Sequence, residues 1–256
     1  MRCKFCRKDV EKLVDSHIVP RAFFEHTKSI GKYENMQSVT NSKDIYPVSK
    51  SMIGWYDQNL VCNDCESLFG QYDTYAIDLL LKNDSTHEQL IHDGNTIGWK
   101  IIDYSYKRLS LFFASILWKA GASEMYQYKR VVLGKWLDKI RDCVANDSID
   151  CACGISFILA RFPDKIGKSF MADPFLEKKG GVFGSINVYR FYLGVGYVVY
   201  IKVDNRDFPE PFFPIAMSEG KPLIILSKNL MESQEINVFR KVLSDSDRIA
   251  QKYKNL

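Results

Sequence analysis

Two short Cys-x-x-Cys pairs constrain this chain more than any other feature: Cys3 with Cys6, and Cys62 with Cys65. Four thiolates in two such pairs can surround one Zn²⁺ tetrahedrally at about 2.3 Å each, provided that the fold brings the pairs together. The chain has seven cysteines, and this odd number, with the other three scattered, argues against a disulfide framework. We therefore predict a structural zinc site formed by the four paired cysteines.

Bulk properties predict a folded, water-soluble protein. The 256 residues are 46% hydrophobic and 26% charged, which is the composition of a chain with a packed core. The longest apolar stretch, residues 193–201, is far shorter than the roughly 20 residues that span a bilayer, and the N-terminus lacks an apolar signal core. We expect a cytoplasmic protein without a membrane partner. The net charge of +4 permits binding to nucleic acid without requiring it.

Hydrophobic periodicity divides the chain into two parts. Apolar positions recur at three and four over residues 64–82 and predict an amphipathic helix, after an irregular segment with a strand at 45–48. Residues 83–99 have the character of a junction. Beyond them we predict helices near 107–120, 133–144 and 229–254, and β-strands over 153–162, 181–191, 194–203, 212–217 and 222–226.

Two motifs lie within the N-terminal part: Asp-Ser-His-Ile-Val-Pro at residues 15–20, and Asn-Leu-Val-Cys-Asn-Asp-Cys-Glu at residues 59–66. Together with the first cysteine pair, this order resembles the HNH endonucleases of the His-Me finger superfamily. It is most similar to a four-cysteine bacterial subgroup with Ser-His-Ile-x-Pro and Cys-x-x-Cys-Glu motifs, which is sometimes associated with phage defence. The resemblance covers residues 1–80.

The fold class that follows is α+β. The resemblance implies an N-terminal, zinc-stapled ββα-metal (HNH-like) domain over residues 1–85. The strand and helix pattern predicts a second α+β domain with an antiparallel sheet over residues 100–256. The pattern of this second domain fits a substrate grip, a sensing domain or a partner-binding surface equally well.

The resemblance also implies a metal-dependent endonuclease that hydrolyses the phosphodiester bonds of nucleic acid, DNA rather than RNA. By position, His17 would be the general base, Asn59 would orient it, and Glu66 would stand at the last catalytic position and bind Mg²⁺ or Mn²⁺. Histidine suits a base that works near neutral pH, and hard cations take carboxylate ligands. Arg21 and Lys28 would contact phosphates.

The sequence departs from the family pattern at two positions. Ser16 stands where the family has a metal-binding Asp, and Asp15 lies one position earlier. Because side chains alternate along a strand, Asp15 could replace that ligand only if the strand is bulged. Glu66 replaces the usual His or Asn, and Asp73, seven residues further along the same helix face, is a candidate helper.

Other interpretations stay open at this stage. His17 could be a structural histidine, and Asn59 and Glu66 could serve a turn and a helix N-terminus. The protein would then be a non-catalytic, zinc-stabilised module that binds nucleic acid or protein. A third hypothesis is a structural or toxin-partner protein from a bacterial defence operon, with a protein partner or a homodimer as the assembly.

Overall fold

The computed structural model describes residues 1–25, 37–39, 49–50, 54–150, 154–168, 170–233 and 235. Over these residues the protein combines α-helices with a mainly antiparallel sheet, as predicted. The predicted strand at 45–48 lies outside the described residues, and so does most of the helix predicted over 229–254.

The N-terminal part is a strand pair followed by a helix. Strand β1 (Val14–His17) pairs antiparallel with β4 (Tyr56–Val61), and helix α2 (Asn63–Ile77) follows β4 after a single residue. The chain continues from α2 into a π-helical turn, Asp78–Lys82, so the helix predicted over 64–82 is present with a widened last turn. A short helix, α1 (Arg21–Glu25), follows β1.

The C-terminal part is built on a seven-stranded sheet. Its strands are β5 (Glu88–His92), β6 (Asn95–Ile101), β7 (Ile155–Arg161), β9 (Phe175–Leu176), β10 (Val188–Gly194), β11 (Tyr197–Val203) and β12 (Leu223–Ser227). They lie in the order β5-β6-β12-β7-β11-β10-β9, and neighbouring strands are antiparallel except for the parallel pair β12 and β7. A separate three-stranded sheet joins β2 (Gln37–Val39), β3 (Ser49–Lys50) and β8 (Phe170–Ala172).

A β-hairpin occupies the segment that the sequence pattern describes as a junction. Strands β5 and β6 are joined through Asp93 and Gly94, whose φ angles of 47° and 75° are those of a primed two-residue turn. The large sheet therefore begins at residue 88. The strand predicted at 212–217 is wrong, because Phe213–Ile215 is a 3₁₀ turn with Pro near its start.

Helix α3 (Tyr106–Ala122) lies between the two parts, and the described residues also form α4 (Trp136–Ala145) and the short α5 (Lys165–Lys168). The Ser105 hydroxyl accepts a hydrogen bond from the Arg108 N–H and caps the start of α3. On one side of α3, the ring of Trp118 packs against that of Phe5, with 4.9 Å between the ring centroids. On the other, Phe113 contacts Phe157 of the sheet at 5.4 Å. A continuous core thus connects the strand pair to the sheet. None of the helices over the described residues combines the length and the apolar character needed to cross a lipid bilayer.

Candidate active site and metal centre

The four paired cysteines come together, as their spacing predicts. The Sγ atoms are 3.7 Å apart for Cys3 and Cys65, 3.9 Å for Cys6 and Cys62, and 3.5 Å for Cys62 and Cys65, and all four lie within 4.8 Å of one another. A tetrahedron of sulfurs around zinc, with bonds of about 2.3 Å, has edges of about 3.8 Å. The four thiols could therefore hold a zinc ion.

Backbone hydrogen bonds shape the turn that carries the first cysteine pair. The Arg7 N–H donates to the Cys3 carbonyl at 2.9 Å, and Arg7 adopts a left-handed φ of 62°. The Lys4 N–H donates to the Leu60 carbonyl at 2.9 Å, which ties this turn to β4 just before Cys62. The second pair is held by the start of α2, so both pairs are fixed by secondary structure.

The thiols differ in how readily they ionise. Burial raises the pKa of Cys3, but hydrogen bonds from the backbone N–H groups of Cys6 and Cys62 outweigh it and lower the pKa to about 7. Burial raises the pKa of Cys65, and its contacts with Cys62 and Cys3 raise it further. A thiol that binds a dication is deprotonated outright, so a bound metal would provide the charge that four thiolates require.

His17 is the last residue of β1. It lies opposite Tyr56 of β4, and the two ring centroids are 5.5 Å apart. The backbone carbonyl of His17 accepts a hydrogen bond of 2.7 Å from the ammonium group of Lys119, which belongs to α3. The candidate base is thus linked directly to the helix that connects the two parts of the molecule.

Lys119 is the charged group at the centre of this region. Its side chain is 0% exposed, and its Nζ lies 3.9 Å from Oδ2 of Asp73, whose side chain is 16% exposed. The same Nζ lies 5.2 Å from the centroid of the Phe69 ring, a cation–π contact. Asp73 and Phe69 are both on α2, so Lys119 connects β1 to α2.

Glu66 and Asp73 lie seven residues apart on one face of α2. Oε2 of Glu66 and Oδ1 of Asp73 are buried, and neither accepts a hydrogen bond within the described part of the chain. Burial raises the pKa of Asp73 to about 6; the ammonium of Lys119 opposes this rise, and the charge of Glu66 adds to it. Burial therefore outweighs the attraction of Lys119 and makes Asp73 easier to protonate than an exposed aspartate.

Gly70 lies on the same helix face, between the two carboxylates. A Cβ built at this position would meet nothing within 4 Å among the described segments. Glycine inside a helix costs about 0.5–1 kcal/mol relative to alanine, and packing does not require it here. The helix thus leaves an open space between Glu66 and Asp73.

The strand pair is irregular beside Asp15. Val14 pairs with Val61 and Ser16 with Asp57, so one residue of β1 stands opposite three of β4 and the extra residues belong to β4. Asp15 is exposed and accepts a hydrogen bond of 3.0 Å from Gln58, while Ser16 is fully buried. The role of Asp15 as a metal ligand stays a prediction.

The other residues predicted from the motifs lie at the surface or outside the described residues. Asn59 is exposed, and its backbone N–H donates to Oδ1 of Asp57 at 2.8 Å; its side-chain role toward His17 stays a prediction. Arg21 is exposed and pairs with Glu25 at 2.8 Å, within α1. Lys28 lies outside the described residues.

Sequence reasoning missed Lys119. The signal was present, because Lys119 is the only charged residue within an apolar run that predicts a buried helix. A lysine at such a position needs a buried partner, and this requirement alone marks it as a residue of interest.

Comparison with known proteins adds no family to these observations, since no protein-family model, no curated protein and no solved structure matches this chain.

Proposed function

We propose that this protein is a metal-dependent endonuclease of the HNH type, which hydrolyses phosphodiester bonds of nucleic acid and prefers DNA to RNA. One observation carries the proposal: the buried ammonium group of Lys119 contacts both the backbone carbonyl of His17 and the carboxylate of Asp73, and the charge of Glu66 acts on that carboxylate. The four-thiol cluster beside Glu66 supports it. The biological setting that the resemblance implies, bacterial phage defence, stays a prediction.

In this proposal His17 takes the proton from the water that attacks the phosphorus. An imidazole ionises near neutral pH, so it can accept that proton at one of its ring nitrogens without an extreme environment. The fixed carbonyl of His17 limits the directions in which its side chain can leave β1. A base that is held in one direction loses less entropy when the reacting groups meet.

Glu66 and Asp73 would hold Mg²⁺ or Mn²⁺ through the buried carboxylate oxygens that lack a hydrogen-bond donor among the described residues. Hard cations of this kind bind one or two carboxylates and keep several waters, and the space beside Gly70 fits that requirement. When bound, such an ion stabilises the charge that develops on the phosphate and on the leaving oxygen.

Zinc has a structural role in this proposal. Glu66 directly follows Cys65, and its N–H donates to the carbonyl of Cys62 at 3.0 Å. A zinc ion bound to Cys62 and Cys65 would therefore fix the first turn of α2 and, with it, the position of the Glu66 carboxylate. A site with four cysteine ligands has no open position for substrate, which is typical of structural zinc.

The test is a cleavage assay on plasmid, single-stranded DNA and RNA with Mg²⁺ or Mn²⁺, comparing wild type with His17→Ala. General bases contribute roughly 10²- to 10⁴-fold, so we expect His17→Ala to lose at least about 100-fold in rate. Zinc content, measured on the same samples, should stay at about one per chain in both proteins.

His92→Ala is the matched control, because His92 is 74% exposed at the tip of the β5–β6 hairpin and should not affect the rate. Cleavage by His17→Ala at the wild-type rate would remove His17 from the mechanism. If neither protein cleaves any substrate while zinc stays bound, the zinc-stabilised binding module becomes the better interpretation.

A further inference from the structure

We propose that Lys119 is a positioning residue of this site, and that the site is composite: the strand pair and α2 carry the reacting groups, and α3 holds them in place. The inference rests on the proposed function and extends it to a residue outside the HNH-like segment. It predicts that the N-terminal part needs α3 to form a working site.

Lys119 carries a charge that is completely buried. Taking an ammonium group out of water costs several kcal/mol unless other groups compensate it. Its compensating contacts in the described structure are the His17 carbonyl at 2.7 Å, the Asp73 carboxylate at 3.9 Å and the ring of Phe69 at 5.2 Å. All three belong to the N-terminal part. The contacts that offset the cost of burying this charge therefore also hold α3 against the candidate site.

The position of the His17 backbone also depends on Lys119. His17 ends β1, so its carbonyl is the last one that the strand can hold in a regular ladder. The hydrogen bond from Lys119 fixes this carbonyl and thereby the backbone that directs the imidazole. Because the same nitrogen contacts Asp73, it also sets the separation between β1 and the carboxylate face of α2. A displacement of about 1 Å in a reacting group can cost about 100-fold in rate.

Lys119 also contributes to the net charge of the site, together with Glu66 and Asp73. Two carboxylates and one ammonium leave one net negative charge when all three groups are ionised. A bound divalent cation would reverse this to one net positive charge, which complements the single negative charge of a phosphodiester. Lys119 thus adjusts the electrostatics of the site without contacting the substrate, from which its complete burial separates it.

Lys119→Met removes the ammonium and keeps most of the buried stem. By itself it leaves Asp73 without its cation, which would destabilise the fold for reasons unrelated to catalysis. The informative variant is therefore Lys119→Met/Asp73→Asn, which removes both charges, compared with Asp73→Asn alone. Lys107→Met on the same helix is the control, because Lys107 forms an exposed pair with Asp147.

The experiment uses the full chain with zinc bound. Long-range ¹H–¹⁵N correlation spectra report the imidazole of His17, assigned by comparison with His17→Ala, and cleavage kinetics give kcat and KM. We expect the double variant to shift or broaden the His17 ring signals. We also expect its kcat to fall at least about 10-fold below that of Asp73→Asn, with little change in KM, since a misplaced base weakens stabilisation of the transition state more than it weakens substrate binding. Lys107→Met should match wild type in both measurements.

Unchanged His17 signals in the folded double variant, relative to Asp73→Asn, would overturn the inference whether or not the protein cleaves nucleic acid. If the signals change and the wild type shows no cleavage, Lys119 positions His17 and the proposed function alone fails. A measurement on the unmodified protein covers the case of a variant that does not fold. In wild type labelled with ¹⁵N-lysine, one ammonium signal that is protected from solvent exchange should show a nuclear Overhauser effect to the ring of Phe69, whose centroid lies 5.2 Å from the Lys119 nitrogen. The absence of such a signal would also overturn the inference.

Discussion

The large sheet and the candidate site each bury a cluster of charged side chains, and the charges of the two clusters are compensated differently. In the large sheet, Arg190 contacts Glu177 at 2.6 Å and Glu235 at 2.8 Å, and Lys228 contacts Glu235 at 2.7 Å. We call these four residues the sheet cluster. Burial raises the pKa of Glu235, but Lys228 and Arg190 outweigh it, so the pKa lies below its ordinary value.

The candidate site shows the opposite balance. Lys119 contacts the carboxylate of Asp73, the charge of Glu66 also acts on Asp73, and the pKa of Asp73 is raised to about 6. The sheet cluster has a cation for each carboxylate, whereas the site lacks one positive charge. Charge that is buried without full compensation weakens the fold, and such arrangements concentrate at functional sites. The comparison separates a cluster that stabilises the structure from one that is suited to bind a cation.

The largest expected effect belongs to the sheet cluster. Arg190→Met leaves Glu177 without this ion pair and Glu235 with Lys228 alone, and breaking a buried ion pair costs about 3–5 kcal/mol. We expect that loss in the free energy of unfolding, measured by urea denaturation at pH 7. The rate of cleavage per folded molecule should not change.

Lys82→Met, which removes an exposed pair with Asp78, is the control for Arg190→Met and should change stability by less than about 1 kcal/mol. If Arg190→Met lowers the free energy of unfolding no more than this control, the sheet cluster stabilises the fold no more than a surface ion pair does. The proposed difference between the two clusters would then be wrong.

The second prediction is a gain of stability on removing a charge from the candidate site. The folded protein raises the pKa of Asp73 from 3.8 to about 6, so it favours the protonated form. The stability that this group contributes is present below about pH 4 and is lost as the pH rises to about 6. Asp73→Asn replaces the carboxylate with a neutral group of nearly the same shape. Because the pKa of about 6 already includes the attraction of Lys119, burial of the charged carboxylate costs more than this attraction returns. We expect the variant to raise the free energy of unfolding at pH 7 by on the order of 2 kcal/mol, and by less at lower pH.

Urea denaturation of Asp73→Asn and wild type at matched pH values from 5 to 8 measures this difference. A variant that is less stable than wild type at pH 7 would show that Lys119 compensates Asp73 fully, and the two clusters would then not differ in kind.

Local patterns predicted much of the fold and part of the site. The recurrence of apolar positions predicts α2, and the same helical geometry places Glu66 and Asp73 on one face, since both depend on neighbouring residues only. The Asp93-Gly94 pair was an available signal for the hairpin, but β5 is mostly exposed and carries no apolar alternation.

Long-range packing set what the sequence did not predict. The contact between Lys119 and His17 joins residues 102 positions apart, and it exists only because α3 packs against the strand pair. The environment of Asp15 depends on extra residues in β4, more than 40 positions away from it, which no pattern around Asp15 indicates. The cysteines were predictable despite their separation because the Cys-x-x-Cys spacing itself carries the chemistry.

A third prediction tests which cluster responds to a divalent cation. Mn²⁺ alone, at ten times its dissociation constant, should raise the free energy of unfolding by about 1.4 kcal/mol, because a ligand that binds only the folded state stabilises it. Glu66→Gln should abolish this increase while retaining zinc. Arg190→Met should keep the increase despite its lower stability. An equal response in Glu66→Gln and wild type would place the cation elsewhere.

The smallest expected effect comes from Gly70, and it separates stability from function most directly. Gly70→Ala removes a flexible residue from the middle of α2 and should raise the free energy of unfolding by about 0.5–1 kcal/mol. The added methyl meets no described neighbour within 4 Å, so it has no packing cost. It does enter the space between Glu66 and Asp73, where we propose that a hydrated cation binds. We therefore expect a more stable protein with weaker Mn²⁺ binding and slower cleavage. Ser67→Ala is the matched control, since it also favours the helix but lies on the exposed face of α2, and it should leave both properties unchanged. A Gly70→Ala protein that is stabilised and still binds and cleaves normally would mean that this space has no role in the reaction.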